Sequence, residues 1–371
     1  MKPENTPNRL VFMDLLRAYA VLMMVQGHTI EVFLKDKYRV LDNPYFNIWN
    51  FNRGLTAPIF LFTTGLVFNF LFTKYAVPFY KNPRFLKAIK RALFLLFVSM
   101  SFKYPGLYIH EYQNLSAQDW KYFLAVDILQ LIALALLVIT FLNVVSEALN
   151  KKHLYVFGTI AFAFLISSNY INSIYWGDRI PLVFASIISG STGSQFPIFP
   201  WLFYILCGAA IGTLLHNYRT DEGQKKLIKV FLSSGIIITS VLGAAEAITY
   251  YGFDFTFLWW TPVFDIFRLG FVFIAVSLFI YISTIWKNVP KIILYTGRNS
   301  LWVYLVHIII LYGSAYNFGF NNKYRGVFEP MPSILFAFLM VVSMGVFVYG
   351  KEWISEKLKN YSGLIKIFFK R

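Results

Sequence analysis

An all-α, polytopic integral membrane fold with about ten transmembrane helices is what this sequence predicts, and three observations predict it. Hydrophobic residues fill 57% of the 371 positions and charged residues only 14%, too apolar a balance for a chain that must dissolve in water. The apolar residues gather into segments of roughly 17–25 residues, the length that crosses a bilayer as a helix. The Lys and Arg residues are sorted between alternate loops, as the positive-inside rule requires. The net charge of +16 therefore reads as membrane-flanking loops, and nucleic acid is not expected as a partner. A single cysteine, Cys207, excludes an intrachain disulfide and a thiolate cluster, and no metal is expected.

Taken in order, hydropathy and helix breakers place the helices at approximately 12–34, 55–75, 86–103, 122–146, 153–170, 197–216, 227–250, 263–286, 299–316 and 332–350. The first is interrupted by Arg17 and lacks a small-residue cleavage pattern, so it is expected to stay in the membrane and not to leave as a signal peptide. Between helices 2 and 3 lies the richest cationic cluster, which includes Arg84, Lys87, Lys90 and Arg91. Topological anchoring accounts for most of it, and a docking surface for a polyanionic cofactor is the sharper reading. The termini and the loops after helices 2, 4, 6 and 8 carry about 23 Lys and Arg, against about 9 on the other side, so both termini are expected in the cytoplasm. The opposite loops, 35–54, 104–121, 171–196 and 317–331, are rich in Tyr, Trp, Asn, Gly and Pro, which suits an interfacial belt or a sugar-contacting rim. Segment 189–196, SGSTGSQF, reads as a flexible loop tip. Gly65, Gly208, Gly212 and Gly243 read as sites of close helix packing. Residues 1–350 thus form one transmembrane domain, and 351–371, with Lys among Trp353, Leu358, Ile365, Phe368 and Phe369, reads as a basic amphipathic helix on an anionic leaflet.

The chemistry concentrates in helix 1. Residues 9–31, RLVFMDLLRAYAVLMMVQGHTIE, would span the bilayer yet carry Asp14, Arg17 and His28, with Glu31 one turn beyond. At about 100° per residue the eleven steps from Arg17 to His28 close to within about 20° of three turns, so both side chains share a face, roughly 16 Å apart along the axis. A guanidinium suits phosphate, and a neutral imidazole suits proton removal or an acyl-carrying role near neutral pH. The structural alternatives are an i,i+3 ion pair between Asp14 and Arg17, repeated by Asp265 and Arg268, and a histidine that only bonds helix to helix. Asp127, Glu246 and His307 complete the intramembrane ionisable set; His307 is either a partner of the site or a packing residue. No Gly-x-Ser-x-Gly elbow, HExxH or Walker loop occurs, which leaves serine-hydrolase, metalloprotease and ATPase readings unsupported.

The run from Asp14 to Leu22, followed by His28, resembles the first-helix motif of the membrane acyltransferase-three family, an arginine and a histidine separated by ten residues. Residues 53–65 (RGLTAPIFLFTTG), 199–212 (FPWLFYILCGAAIG) and 296–307 (TGRNSLWVYLVH) resemble the related catalytic-domain family of heparan-α-glucosaminide N-acetyltransferase. The resemblance implies a multi-pass enzyme of the plasma (inner) membrane. It would take an acyl group, acetyl foremost, from cytoplasmic acyl-CoA and pass it to a hydroxyl or amine of a carbohydrate on the far side. It further implies that His28 is catalytic and that Arg17 lies on the acyl-CoA side. Asp14, Glu31, Asp127 and His307 would support them. Where the family commonly has Leu-Arg-Gly this chain has Leu-Arg-Ala-Tyr, which leaves the branch and the acceptor open; assembly as an oligomer is compatible with everything above. The rival reading is a secondary transporter with an intramembrane His/Asp/Glu/Arg path, which predicts internal repeats that the two halves do not display.

Overall fold

Helix follows helix in the computed structural model, which describes residues 10–75, 77–105, 113–250, 262–314 and 317–368, the side chains of 246–250 and 359–368 excepted. The elements are α1 Val11–Phe33, α2 Pro44–Phe72, α3 Pro83–Lys103, α4 Ala117–Leu124, α5 Ile128–Ala148, α6 His153–Asn172, α7 Leu182–Ile188, α8 Ile198–Leu214, α9 Asp221–Tyr250, α10 Pro262–Ile285, α11 Lys291–Arg298, α12 Ser300–Tyr312, α13 Phe320–Tyr324 and α14 Pro330–Phe368. A two-residue antiparallel hairpin, Gly313–Ser314 against Asn317–Phe318, is the one sheet among the described residues.

Seven helices among the described residues are long and apolar enough to cross a membrane: α2, α5, α6, α8 with its 3₁₀ extension, α9, α10 and α14. The chain is an all-α polytopic membrane protein. Each of the ten expected segments contains helix, but three do not meet that measure on their own. Polar residues dilute α1, cations dilute α3, and α12 has 13 residues against the roughly 20 a bilayer needs.

Several boundaries differ from expectation for local reasons. Helix α2 starts eleven residues early because Asn43 Oδ1 accepts the backbone N–H groups of Tyr45 (3.0 Å) and Phe46 (3.4 Å) and Pro44 fills the first helical position. The helix expected over 122–146 is two, since Asp127 turns out of α4 and caps α5. Helix α12 stops at Tyr312, where Gly313 takes φ +83° and the chain doubles back into the hairpin. Segment 189–196 is no loose tip: Ser189, Thr192 and Ser194 are buried, and Ser194 Oγ bridges the N–H of Val126 (2.8 Å) and the carbonyl of Ser186 (2.7 Å). Helix α14 passes residue 350 without a break, so the basic tail continues a helix about 58 Å long; Ile365, Phe368 and Phe369 lie outside the described side chains.

The chain divides into two compact units. The first, Met1–Thr56 with Ile282–Arg371, is built around α1. Val21, Val25, Val32 and Phe33 of α1 meet Val303 and Leu311 of α12 and Met340, Met344 and Val348 of α14 in one apolar core. Helix α11 lies close enough on α1 that a Cβ at Gly297 would stand 2.0 Å from the Asp14 carbonyl oxygen. The segment after α13 pairs with the end of α1, through Gly326 N–H to Val32 O (2.8 Å) and Phe328 N–H to Phe33 O (2.8 Å).

The second unit, Ala57–Tyr281, holds the rest. Its α2 and α8 cross backbone to backbone, since a Cβ at Gly65 would lie 1.9 Å from Ile205 O and one at Gly208 1.9 Å from Phe62 O. Gly212 serves the same crossing, whereas Gly243, expected to do likewise, has only an ordinary contact at 3.8 Å to Phe267; Gly235 and Gly270 make the close approach of α9 and α10 instead.

Candidate active site

Helix α1 runs unbroken over 23 residues, so its sequence spacing becomes geometry directly. At one end of the shared face, Arg17 Nη2 donates to Ser300 Oγ at 3.0 Å. Asp14, 5% exposed, has Arg298 Nε at 3.4 Å from Oδ2. The turn between α11 and α12, Arg298-Asn299-Ser300, therefore clasps both ionisable residues of the first turns of α1. Further along, His28 meets His307, with Nδ1 of the first 3.1 Å from Nε2 of the second. Helices α1 and α12 run parallel, so the 17/300 and 28/307 contacts belong to one seam. Eleven residues of α1 cover about 16 Å and seven of α12 about 10 Å, and the long arginine side chain takes up the difference.

The two imidazoles are end to end. Their centroids are 5.3 Å apart with planes 22° from parallel, close to the hydrogen-bond length plus one ring radius on either side, which is an in-plane contact and not a face-to-face stack. His307 is fully buried, and its Nδ1 lies 2.8 Å from the Val303 carbonyl one helical turn back. A carbonyl only accepts, so His307 Nδ1 carries a hydrogen and, in the neutral ring, Nε2 offers a lone pair. His28 Nδ1 must then be the donor. This fixes the remaining lone pair of His28 on Nε2, to which no described residue is hydrogen-bonded. Of the two readings for His307, partner or packing, its contacts are those of a partner. Tyr312 stands edge-on to His28 at 5.9 Å and Tyr304 edge-on to His307 at 5.6 Å.

Glu31 pairs with Arg53, Nη2 to Oε2 at 2.5 Å. Arg53 can pass so near the helix because residue 27 is glycine: a Cβ there would lie 3.3 Å from Arg53 Cγ. The guanidinium also faces the Trp49 ring at 5.7 Å, and Trp49 Nε1 donates to Gln26 Oε1 at 3.3 Å. Beyond Glu31, Arg39 closes the C-terminus of α1 by donating to the carbonyls of Leu34 (3.0 Å from Nε) and Glu31. Glu329 next to α14 ties down the following loop, accepting from Lys35 (2.8 Å) and Tyr38 and pairing with Lys37 (3.2 Å). These contacts hold its carboxyl well below the ordinary 4.5, at about 2.

The other expected site residues lie in the second unit. Arg84, Lys87, Lys90 and Arg91 occupy the first three turns of α3, the last three exposed. Cations there oppose the helix dipole, so they do not serve the helix itself. Asp127, expected among the supporting residues, is spent on structure: Oδ1 accepts the Gln130 N–H at 2.9 Å and Oδ2 the Ser99 hydroxyl at 2.6 Å. Asp265 accepts from Tyr204 Oη at 2.8 Å, and the Arg268 guanidinium, whose charge still acts on that carboxyl, lies 4.1 Å over Phe264. Glu246 lies outside the described side chains.

Sequence reasoning missed Arg298 and Ser300 as partners of Asp14 and Arg17, Arg53 as the partner of Glu31, and Tyr312. The first two sit in TGRNSLWVYLVH, a stretch singled out in the sequence, but no local periodicity ties them to helix 1 from nearly 300 residues away. None of the curated proteins compared with the chain matches it. The model of the acyltransferase domain matches residues 10–350, from the start of α1 into α14, and the chain therefore belongs to the acyltransferase-three family of membrane proteins.

Proposed function

We propose that this membrane acyltransferase takes its acyl group, acetyl foremost, from cytoplasmic acyl-CoA and passes it to a hydroxyl or amino group of a carbohydrate on the opposite side of the membrane. The observation that carries the reading is the chain Val303 O, His307, His28, which leaves a basic nitrogen at His28 Nε2 on the same helix face as Arg17. His28 Nε2 takes the proton of the acceptor as its oxygen or nitrogen attacks the thioester carbonyl. The C–S bond then breaks, and the imidazolium returns the proton to the departing CoA sulfur. His307 holds the ring in the useful tautomer and shares the positive charge that His28 acquires, the part a carboxylate plays in a hydrolase triad.

Arg17 supplies a guanidinium for the phosphate-bearing end of acyl-CoA, with Ser300 keeping it extended along the seam. Arg84, Lys87, Lys90 and Arg91 draw the polyanionic head to the cytoplasmic side by their summed field. Cytoplasmic termini follow from the charge sorting, and a plasma (inner) membrane location from the family resemblance. On the far side, Trp49, Tyr38 and Tyr312 offer the ring faces and hydroxyls that sugars engage.

The test uses purified full-length protein and acetyl-CoA. Wild-type protein should be stabilised against heat by acetyl-CoA and should release CoA when envelope glycans are added. His28→Ala should keep the stabilisation while turnover falls by about 10²–10⁴-fold, the size of a lost general base. Full turnover in well-folded His28→Ala protein, or no stabilisation of the wild type by acetyl-CoA, would overturn the reading.

A further inference from the structure

A cavity of about 400 Å³ opens in the second unit where three helices end, α2 and α5 arriving with their C-termini and α6 leaving with its N-terminus. All three are long and apolar enough to cross a membrane, so their ends lie where hydrocarbon meets water. None of the residues that line it takes part in the chemistry proposed above.

On the α5 side, Asn143, Ser146 and Glu147 present acceptors to it. Asn143, 3% exposed, donates through Nδ2 to Asn69 Oδ1 at 2.8 Å and to Ile139 O at 2.9 Å. Asn69 cannot flip to relieve that arrangement, because its own Nδ2 is spent on Ala209 O at 2.9 Å. The Asn143 amide is thus pinned, and its Oδ1 is left buried with no donor, a state that costs free energy until a donor arrives. Ser146 gives its hydroxyl hydrogen to Leu142 O at 2.7 Å and can only accept from a ligand. The Glu147 carboxylate, fixed by the Phe79 N–H at 2.9 Å, adds a full negative charge at the rim. The C-terminal ends of α2 and α5 add partial negative charge, and the rings of Phe72, Tyr75 and Phe79 form the walls. All of these favour a cation that carries N–H donors.

The α6 side has the opposite sign. Lys151 and His153 line the cavity at the N-terminus of α6, where an anion is favoured. We propose that this cavity binds a primary ammonium joined to a phosphate, as in the headgroup of phosphatidylethanolamine or in a soluble aminoalkyl phosphate. The ammonium gives a hydrogen to Asn143 Oδ1 and faces Glu147, and the phosphate meets Lys151. A quaternary ammonium fits less well, because it has no N–H to offer Asn143.

The experiment is a titration of the full chain in lipid-free detergent, read by native mass spectrometry. The probes are the dihexanoyl forms of phosphatidylethanolamine, phosphatidylcholine and phosphatidylglycerol, together with O-phosphoethanolamine. One phosphatidylethanolamine per chain is expected, favoured over the other two lipids by about tenfold or more, the size of a charge-assisted contact. Glu147→Gln and Lys151→Gln, both at exposed positions where folding survives, should each erase most of that preference. Asn143→Asp should strengthen binding if the variant stays monodisperse. Comparable binding of O-phosphoethanolamine would support the same site with a soluble source, and its failure to bind would support the lipid. Equal affinity for all three lipids, or a preference untouched in both exposed variants, would overturn the proposal. Neither outcome bears on His28, whose test is turnover.

Discussion

A histidine becomes a base when something else decides which of its nitrogens holds the hydrogen, and in this chain that decision passes from the Val303 carbonyl through His307 to His28. His307 should therefore act as a positioning residue. His307→Leu should lower turnover by on the order of 10²–10⁴-fold with acetyl-CoA affinity unchanged, because the His28 ring loses its orienting acceptor. His307→Gln, which can still accept from His28 Nδ1, should recover part of the loss, and the pH–rate profile should shift in both variants. A merely structural histidine would change stability and leave that profile in place. Glu329 gives a second prediction at this scale. A carboxyl held at about 2 in the folded chain against an ordinary 4.5 adds stability above the ordinary value and gives it up as pH falls from 4.5 toward 2. Glu329→Gln should accordingly speed amide exchange at residues 326–328 at neutral pH, and the difference from wild type should close across that window. A difference that persists at pH 2 would show that the tie is not ionic.

Elements are joined here by backbone approach as much as by side-chain packing. Gly208 on α8 lies where a Cβ would stand 1.9 Å from the Phe62 carbonyl oxygen, whereas Gly158 on α6 has nothing within 4 Å of that position. The two glycines make a controlled pair. Gly208→Ala should destabilise the protein by about 1–3 kcal/mol or prevent its assembly, since one helix must move off the other. Gly158→Ala should be neutral or stabilising by up to about 1 kcal/mol, the helix-propensity difference. Thermal unfolding in a single detergent compares them, and equal effects would mean that the α2–α8 crossing is looser than the distances say. Helix α2 shows how much of an element can be read locally. Its start at Asn43-Pro44 is an ordinary capping sequence, legible in DNPYF, yet the polar and aromatic residues that follow have no apolar periodicity and read as a loop. That first stretch of α2 carries Trp49 and Arg53 to α1.

At the scale of the whole molecule the charge sorting carries the prediction. With Cys207 replaced, single cysteines placed at residues 84–91 should react with an impermeant reagent only when the cytoplasmic face is open, as should one placed at either terminus. Exclusive labelling of 84–91 from outside would reverse the topology, and with it the direction of acyl transfer.

Membrane character, the all-helical class and the common face of Arg17 and His28 were all determined by the sequence. They depend on hydropathy and on 3.6-residue periodicity, which act within a few turns of chain. The four-residue step from Val303 to His307 is equally local. Only the tertiary structure decided that His307 meets His28, that Arg298 and Ser300 close on Asp14 and Arg17, and that Asp127 is a helix cap. Such pairings join positions up to 284 residues apart, or depend on a single turn ending where a neighbouring helix leaves room. In a bundle where nearly every helix is apolar, hydrophobicity says that helices pack but not which ones. The choice of partner falls to a few glycines and buried polar groups, whose complements become visible only when the helices are side by side.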